Sequence, residues 1–92
     1  MALLENTKYN NKIKINKKQI GNNLKELRKD LNMTQQQLSD KCKFYQSTYN
    51  HYETGYSLIK IMTAYSICKT YNVSMKYLIG RTNKKYIKKR VM

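Results

Sequence analysis

The stretch TQQQLSDKCKFYQSTYNHYETG, residues 34–55, decides the fold of this chain, because its apolar and polar positions fit two short helices that meet at a sharp turn. Thr34 offers a side-chain oxygen that caps the first helix, and Gln37 completes a capping-box pattern. Gly55 is the residue best able to adopt the left-handed conformation that ends a helix. We therefore predict a helix over residues 35–42, a turn, and a second helix over residues 46–54.

An apolar stripe precedes this stretch and indicates another helix. Its members recur at spacings of four, three and four residues, which places them on one helix face. They are Ile20, Leu24, Leu27 and Leu31. We predict this helix from residue 19 to about residue 32, with Gly21 lowering its stability by about 1 kcal/mol relative to Ala. The chain contains no Pro and three Gly, so little interrupts its helices and an all-α domain is expected.

Positive charge is concentrated at the two ends of the chain. The 92 residues allow one small domain, and the formal net charge is +14. Residues 1–18 contribute +4 and residues 81–92 contribute +6. We divide the chain into a basic, flexible N-terminal arm (1–18), a domain (19–80) and a basic C-terminal tail (81–92). Such ends attract a polyanion, although they also fit solvated tails that keep a protein soluble.

Short segments within the two ends leave alternatives open. Residues 12–16 alternate polar and apolar side chains, but no matching strand is evident nearby, so an extended arm is favoured. The C-terminal tail either stays disordered or supplies a small apolar contact through Tyr86, Ile87 and Val91.

Several classes of protein are disfavoured by the sequence. No apolar run is long enough for a membrane helix or a signal peptide, so a cytoplasmic protein without a membrane partner is expected. Cys42 and Cys68 lie in apolar segments without metal-ligand spacing, which favours buried free thiols and no bound metal or cofactor. There is no glycine-rich phosphate loop and no paired carboxylates, so we expect no catalytic residues and no enzyme.

The second helix of the opening stretch has a polar face of short donor and acceptor side chains: Gln46, Ser47, Asn50 and His51. Base edges in the major groove of DNA are read by such groups, and Asn or Gln can bond an adenine through two atoms at once. On their own, these residues also fit an exposed, solvated face. The helix and turn that precede them favour DNA.

Three blocks carry a family resemblance: residues 33–39 (MTQQQLS), 49–55 (YNHYETG) and 72–80 (NVSMKYLIG). Over about residues 19–80, the chain resembles the lambda-repressor-like and Cro-like helix-turn-helix regulators, also called the xenobiotic response element family. The resemblance implies a compact domain of five helices, the fourth over residues 60–71 and the fifth over residues 74–79. It implies that these two helices bury Ile61, Ala64, Ile67, Cys68, Tyr71, Met75 and Leu78.

The resemblance also implies roles for individual residues. The base readers would be Gln46, Ser47, Asn50 and His51. The phosphate contacts would be Gln35, Lys43, Thr54, Tyr56 and Lys60. Structural support would come from an ion pair between Arg28 and Glu53 and from buried Tyr49 and Tyr52.

Three positions depart from the family pattern. Lys43 stands at the turn where the family usually has Gly, so it must adopt an unfavourable backbone angle or the turn must differ. Tyr45 replaces the usual Ser-like cap before the third helix, and Ile59 replaces a Pro before the fourth.

Together, these features predict a sequence-specific regulator of transcription, with repression favoured over activation, that inserts the helix around residues 46–54 into the major groove of double-stranded DNA. Such domains bind as dimers on half-sites about 34–36 Å apart, so a homodimer, at least on DNA, and a palindromic operator are expected. The composition is typical of AT-rich coding DNA and indicates a bacterium or its phage. One alternative is an antitoxin or accessory regulator that binds a protein partner through its tails or Tyr45 and Tyr56. The other is a nonspecific nucleic-acid-binding protein.

Overall fold

The computed structural model describes residues 15–87 of the chain. Within this range lie five helices: α1 (Lys17–Asp30), α2 (Gln35–Cys42), α3 (Gln46–Glu53), α4 (Ile61–Tyr71) and α5 (Met75–Leu78). The predicted all-α, five-helix fold is confirmed. No helix in the described range is long and apolar enough to cross a membrane. Residues 1–14 of the predicted arm and residues 88–92 of the predicted tail, including Val91, lie outside the described residues.

The core forms where α1 and α2 pack against α3, and α4 and α5 close the other side. The predicted stripe of α1 is buried at Ile20, Leu24 and Leu27, while Leu31 packs at the margin of the core. The large side chains with no exposed surface come from every helix and from the α4–α5 loop: Leu24, Leu27, Leu38, Tyr49, Ile67, Val73 and Leu78. Both thiols, Cys42 and Cys68, are free and buried as predicted.

The ends of the helices follow local hydrogen bonding. Helix α1 begins at Lys17, two residues before the predicted start, because the side chain of Asn16 accepts bonds from the next free backbone N–H groups. At the start of α2, Thr34 and Gln37 form the predicted capping box. Tyr45, before α3, provides no side-chain cap.

The turn between α2 and α3 keeps a left-handed residue although it lacks a glycine. Lys43 has φ 63° and ψ 51°, a conformation that costs a non-glycine residue roughly 1–2 kcal/mol. Gly55, after α3, also has a positive φ, of 78°, as predicted for the residue that ends this helix. The turn between α2 and α3 therefore has the left-handed backbone that a glycine would adopt without strain, and Lys43 adopts it with some strain.

Two residues near the start of α1 hold the helices together. Gly21 is buried, and a Cβ atom there would lie 2.5 Å from the carbonyl oxygen of Glu53 and 2.7 Å from that of Tyr52. The missing side chain therefore lets α1 touch the end of α3. Asn23 is also buried, and its amide donates to the carbonyl oxygens of Tyr77 and Leu78 at 3.0 and 3.1 Å, which joins α1 to α5.

The buried positions of α4 and α5 differ from those that the resemblance implied. The expected burial of Ile61 is wrong, because this side chain is 74% exposed. Ile59, just before the helix, packs against the core instead, and Ile61 is the first residue of α4. Tyr71 and Met75 are partly buried, and Tyr77 of α5 is buried although it was not expected to be.

The described part of the C-terminal tail packs along the loop between α4 and α5. Val73 and Tyr86 form an isolated antiparallel bridge, flanked by a bond of 2.8 Å from the Ser74 N–H to the Lys85 carbonyl. The ammonium of Lys85 pairs with Asp30 of α1. Residues 85–87 of the predicted tail thus contact α1 and the loop between α4 and α5.

Candidate nucleic-acid interface

Helix α3 places its polar residues opposite its buried tyrosines. Tyr49 is completely buried, and its hydroxyl donates to the carbonyl oxygen of Leu24 at 3.3 Å. Tyr52 is 5% exposed. The remaining face carries Gln46 and Asn50, which are half-buried, and Ser47 and His51, which are exposed. All four sequence-predicted base readers therefore share one face of one helix.

An ion pair between α1 and α3 fixes the end of this helix. Arg28 donates from Nε to Glu53 Oε2 at 2.8 Å and from Nη2 to Oε1 at 2.9 Å. Its third nitrogen, Nη1, donates to the carbonyl oxygen of Met33 at 2.9 Å. The Glu53 side chain is only 3% exposed, so this bidentate pair lies within the protein.

The carboxyl of Glu53 is held in its charged form. Burial by itself raises its pKa, but hydrogen bonds from Arg28 and Gln35 outweigh that effect, so the pKa of Glu53 lies below its ordinary value. The hydrogen bond to Glu53 in turn raises the pKa of Arg28, despite its partial burial. Both partners are therefore charged at neutral pH.

Gln35, the first residue of α2, connects this ion pair to the polar face of α3. Its Nε2 donates to Glu53 Oε1 and to Asn50 Oδ1, both at 3.0 Å. Its Oε1 accepts from Gln46 Nε2 at 2.5 Å. A continuous network thus runs from Arg28 through Glu53 and Gln35 to two of the predicted base readers.

The chemistry of the network determines which way each amide faces. An ionised carboxylate only accepts hydrogen bonds, so Gln35 must turn its NH₂ group toward Glu53 and its oxygen toward Gln46. Gln46 must then donate with its own NH₂ group, and its oxygen accepts no hydrogen bond from residues 15–87. Asn50 accepts through Oδ1, and its NH₂ group donates to no acceptor within the described part of the chain.

The predicted phosphate contacts fall into two groups around this face. Gln35 and Lys43 lie at the two ends of α2, whereas Thr54, Tyr56 and Lys60 lie in the segment between α3 and α4. Both hydrogens of the Gln35 side-chain amide are donated within the protein. A phosphate bound at this end of α2 would therefore be contacted by the free backbone N–H groups of the first helical turn. Lys43 and Lys60 are exposed.

Tyr56 and Thr54 each contact a residue of α3. The ring of Tyr56 lies 4.9 Å from that of His51, measured between centroids, although Tyr56 is 73% exposed. The hydroxyl of Thr54 donates to the carbonyl oxygen of Asn50 at 2.9 Å. The contact with His51 places the aromatic ring of Tyr56 beside the polar face of α3.

Two lysines that the sequence did not indicate as site residues lie against the segment after α3. Lys17 Nζ lies 3.4 Å from the carbonyl oxygen of Tyr56, and the Lys18 side chain lies against Gly55. The sequence contains the basic pair but gives no sign that the start of α1 adjoins the segment after α3. Lys17 and Lys18, which the sequence assigned to the N-terminal arm, are the first two residues of α1 and lie next to the candidate phosphate contacts.

Comparisons with known proteins agree with this arrangement. A family model described as Helix-turn-helix, of the lambda-repressor and Cro type, matches residues 24–78, more than half of the chain. No curated protein and no solved structure gave a match. The matched range includes α2, the turn at Lys43 and all of α3, and domains of this family are DNA-binding regulators rather than typical enzymes. The chain belongs to the lambda-repressor-like and Cro-like helix-turn-helix family of DNA-binding regulators.

Proposed function

We propose that this protein is a transcriptional repressor of bacterial or phage origin that inserts α3 into the major groove of a palindromic operator and binds it as a homodimer. The main support is the hydrogen-bond network that joins Arg28, Glu53 and Gln35 to Gln46 and Asn50. Such a network holds the two amides in fixed orientations before DNA arrives, and preorganised groups lose less entropy on binding.

The free ends of these amides suggest which base edges they read. The Gln46 oxygen suits a donor such as adenine N6 or cytosine N4, and the Asn50 NH₂ group suits an acceptor such as guanine O6 or thymine O4. Ser47 and His51 lie on the same face and extend the readout. Phosphate contacts from the start of α2 and from Tyr56 and Lys60 would fix the register of α3 in the groove.

Selection of bound duplexes from a random pool tests the proposal. We expect a palindromic motif, bound at least about a thousandfold more tightly than random duplex, with the preference retained as the salt concentration rises. A protein that lost affinity equally for all sequences would be the nonspecific binder. Purification of the native protein in a stable complex with a second protein would instead favour the antitoxin or accessory regulator.

Asn50→Ala separates base reading from phosphate binding. We expect this change to weaken binding to the selected operator by about 1–3 kcal/mol while binding to random duplex stays nearly constant. Lys60→Ala is the matched control, because Lys60 is exposed and makes no side-chain cap for α4, so its removal should weaken all sequences alike. Fluorescence anisotropy with both duplexes measures the two effects. If Asn50→Ala kept the preference for the selected operator over random duplex, Asn50 would not be a base reader.

A further inference from the structure

A cavity of about 440 Å³ lies between α5 and the first residues of the C-terminal tail. Its lining includes three basic side chains, two hydroxyl side chains and one tyrosine: Lys76, Arg81, Lys84, Ser74, Thr82 and Tyr86. Cavities that hold small ligands measure about 300–1,000 Å³, so this one is large enough for a single small molecule. We call it the α5–tail cavity.

Backbone hydrogen bonds fix both ends of the segment that frames this cavity. At the start of the segment, the N–H of Arg81 donates to the carbonyl oxygen of Lys76 at 2.8 Å. At its end, the N–H of Ser74 donates to the carbonyl oxygen of Lys85, also at 2.8 Å. The domain itself therefore holds the frame of the cavity in place, which lowers the entropy that a ligand must overcome on binding.

No carboxylate of the described residues pairs with the three basic side chains of the cavity. The two ion pairs in this range join Arg28 to Glu53 and Lys85 to Asp30. Residues 54–92 contain no Asp or Glu, so the sequence around the cavity supplies no compensating charge. Positive charges gathered around a concave site concentrate its field and attract a ligand with several negative charges.

The cavity lies on a different side of the domain from α3. Gly21 of α1 faces the end of α3, whereas Asn23 of α1 bonds to α5. Each residue turns a helix by about 100°, so two residues place α3 and α5 on nearly opposite sides of α1. The basic side chains of the cavity are therefore separated from the polar face of α3 and are available to a second ligand.

We propose that the α5–tail cavity binds a nucleoside di- or triphosphate. Arginine binds phosphate oxygens through two N–H groups at once and lysine binds them as a point charge, so Arg81, Lys76 and Lys84 suit a short chain of phosphates. Tyr86 lines the same cavity and is 48% exposed, so its ring offers a surface on which a base can stack. This inference does not depend on the DNA sequence that α3 reads.

The size of the cavity favours a free nucleotide over single-stranded nucleic acid. Both present a base and phosphates, but proteins that bind single strands use extended grooves that cover about 4–16 nucleotides. The α5–tail cavity is instead one concave site, closed at both ends by the backbone bonds of its frame.

Isothermal titration calorimetry of the full chain with ATP and GTP, in about 0.15 M salt to screen distant charges, tests the proposal. The double variant Arg81→Gln with Lys84→Gln removes two cations but keeps the frame, because the framing bonds use backbone atoms. We expect it to bind both nucleotides about tenfold or more weakly than wild type. The matched control is Lys25→Gln with Lys41→Gln, which removes the same charge from exposed positions on α1 and α2 and should change the affinity by less than about twofold.

Tyr86→Leu separates recognition of the base from recognition of the phosphates. We expect this variant to bind ATP about fivefold or more weakly and to bind inorganic triphosphate within about twofold of wild type, because stacking acts on the base alone. Equal losses for the two probes would contradict the assignment of a nucleotide.

The remaining outcomes each decide for or against the cavity. Amide NMR signals of residues 74–87 that shift when ATP is added would support it. Equal loss of nucleotide affinity in the cavity variant and in the Lys25 and Lys41 control would overturn it, because overall charge would then explain the binding. A wild-type chain that binds neither nucleotide at millimolar concentration would also overturn it. Tighter binding of a single-stranded oligonucleotide of about eight nucleotides than of ATP, lost in the cavity variant, would replace the free nucleotide with a single strand.

Discussion

Glu53→Ala is expected to lower the free energy of unfolding by about 3 kcal/mol, because it leaves the guanidinium of Arg28 inside the protein without its carboxylate. The Arg28 side chain is 16% exposed, so water can replace only part of the lost bidentate contact. The same change removes one acceptor of Gln35, which then loses its fixed orientation. Urea unfolding at neutral pH measures the effect.

Asp40→Ala is the matched control for this prediction. Asp40 is an exposed carboxylate whose side chain, among residues 15–87, bonds only to Gln36, one turn earlier on α2, so we expect a change within about 0.5 kcal/mol. Equal losses in the two variants would mean that the ion pair contributes no more than an ordinary surface contact. Loss of operator preference in Glu53→Ala, measured under conditions where the variant remains folded, would further indicate that the network orients the base readers.

Acid provides a second measurement on the same ion pair. Because the pKa of Glu53 is lower in the folded protein than in the unfolded chain, its stabilising contribution is present above about pH 4.3 and is lost as the pH falls through the folded value. Wild-type protein should therefore lose more stability than Glu53→Ala when the pH is lowered through this range. A parallel decline of both proteins would contradict the lowered pKa.

The features that depend on local sequence were predictable. The spacing of Ile20, Leu24 and Leu27 identified the inner face of α1, because helical periodicity is a property of consecutive residues. The capping box at Thr34 is likewise a pattern over four residues. The polar face of α3 followed from the same periodicity, so its four predicted base readers do share one surface.

The features that depend on how helices meet were not predictable. Gln35 is separated by 11 residues from Gln46 and by 15 from Asn50, and only the packing of α2 on α3 brings their amides together. The buried amide of Asn23 bonds to α5, more than 50 residues away. Ile61 has suitable helical spacing for the core, but it opens α4 at a point where Ile59 already packs against the core. Periodicity identifies a helix face and not the neighbours available to cover it.

Gly21 also shows that local sequence does not reveal how helices pack, because helix propensity and tertiary packing predict opposite effects of replacing it. By propensity alone, Gly21→Ala should stabilise α1 by about 1 kcal/mol. The new Cβ would, however, lie 2.5 Å from the carbonyl oxygen of Glu53, and the clash is with backbone rather than with a flexible side chain. Helices α1 and α3 would have to separate, which disturbs the packing around both.

We therefore expect Gly21→Ala to lower the free energy of unfolding by about 2 kcal/mol, since overpacking of a close contact outweighs the gain in helix propensity. Asn22→Ala is the matched control, because Asn22 is exposed on the same turn of α1 and should tolerate alanine or gain slightly in stability. Thermal and urea unfolding of both variants measure the difference. A gain in Gly21→Ala equal to that in Asn22→Ala would show that α1 does not touch the end of α3. A loss confined to Gly21→Ala would instead show that this glycine holds α3 against the core.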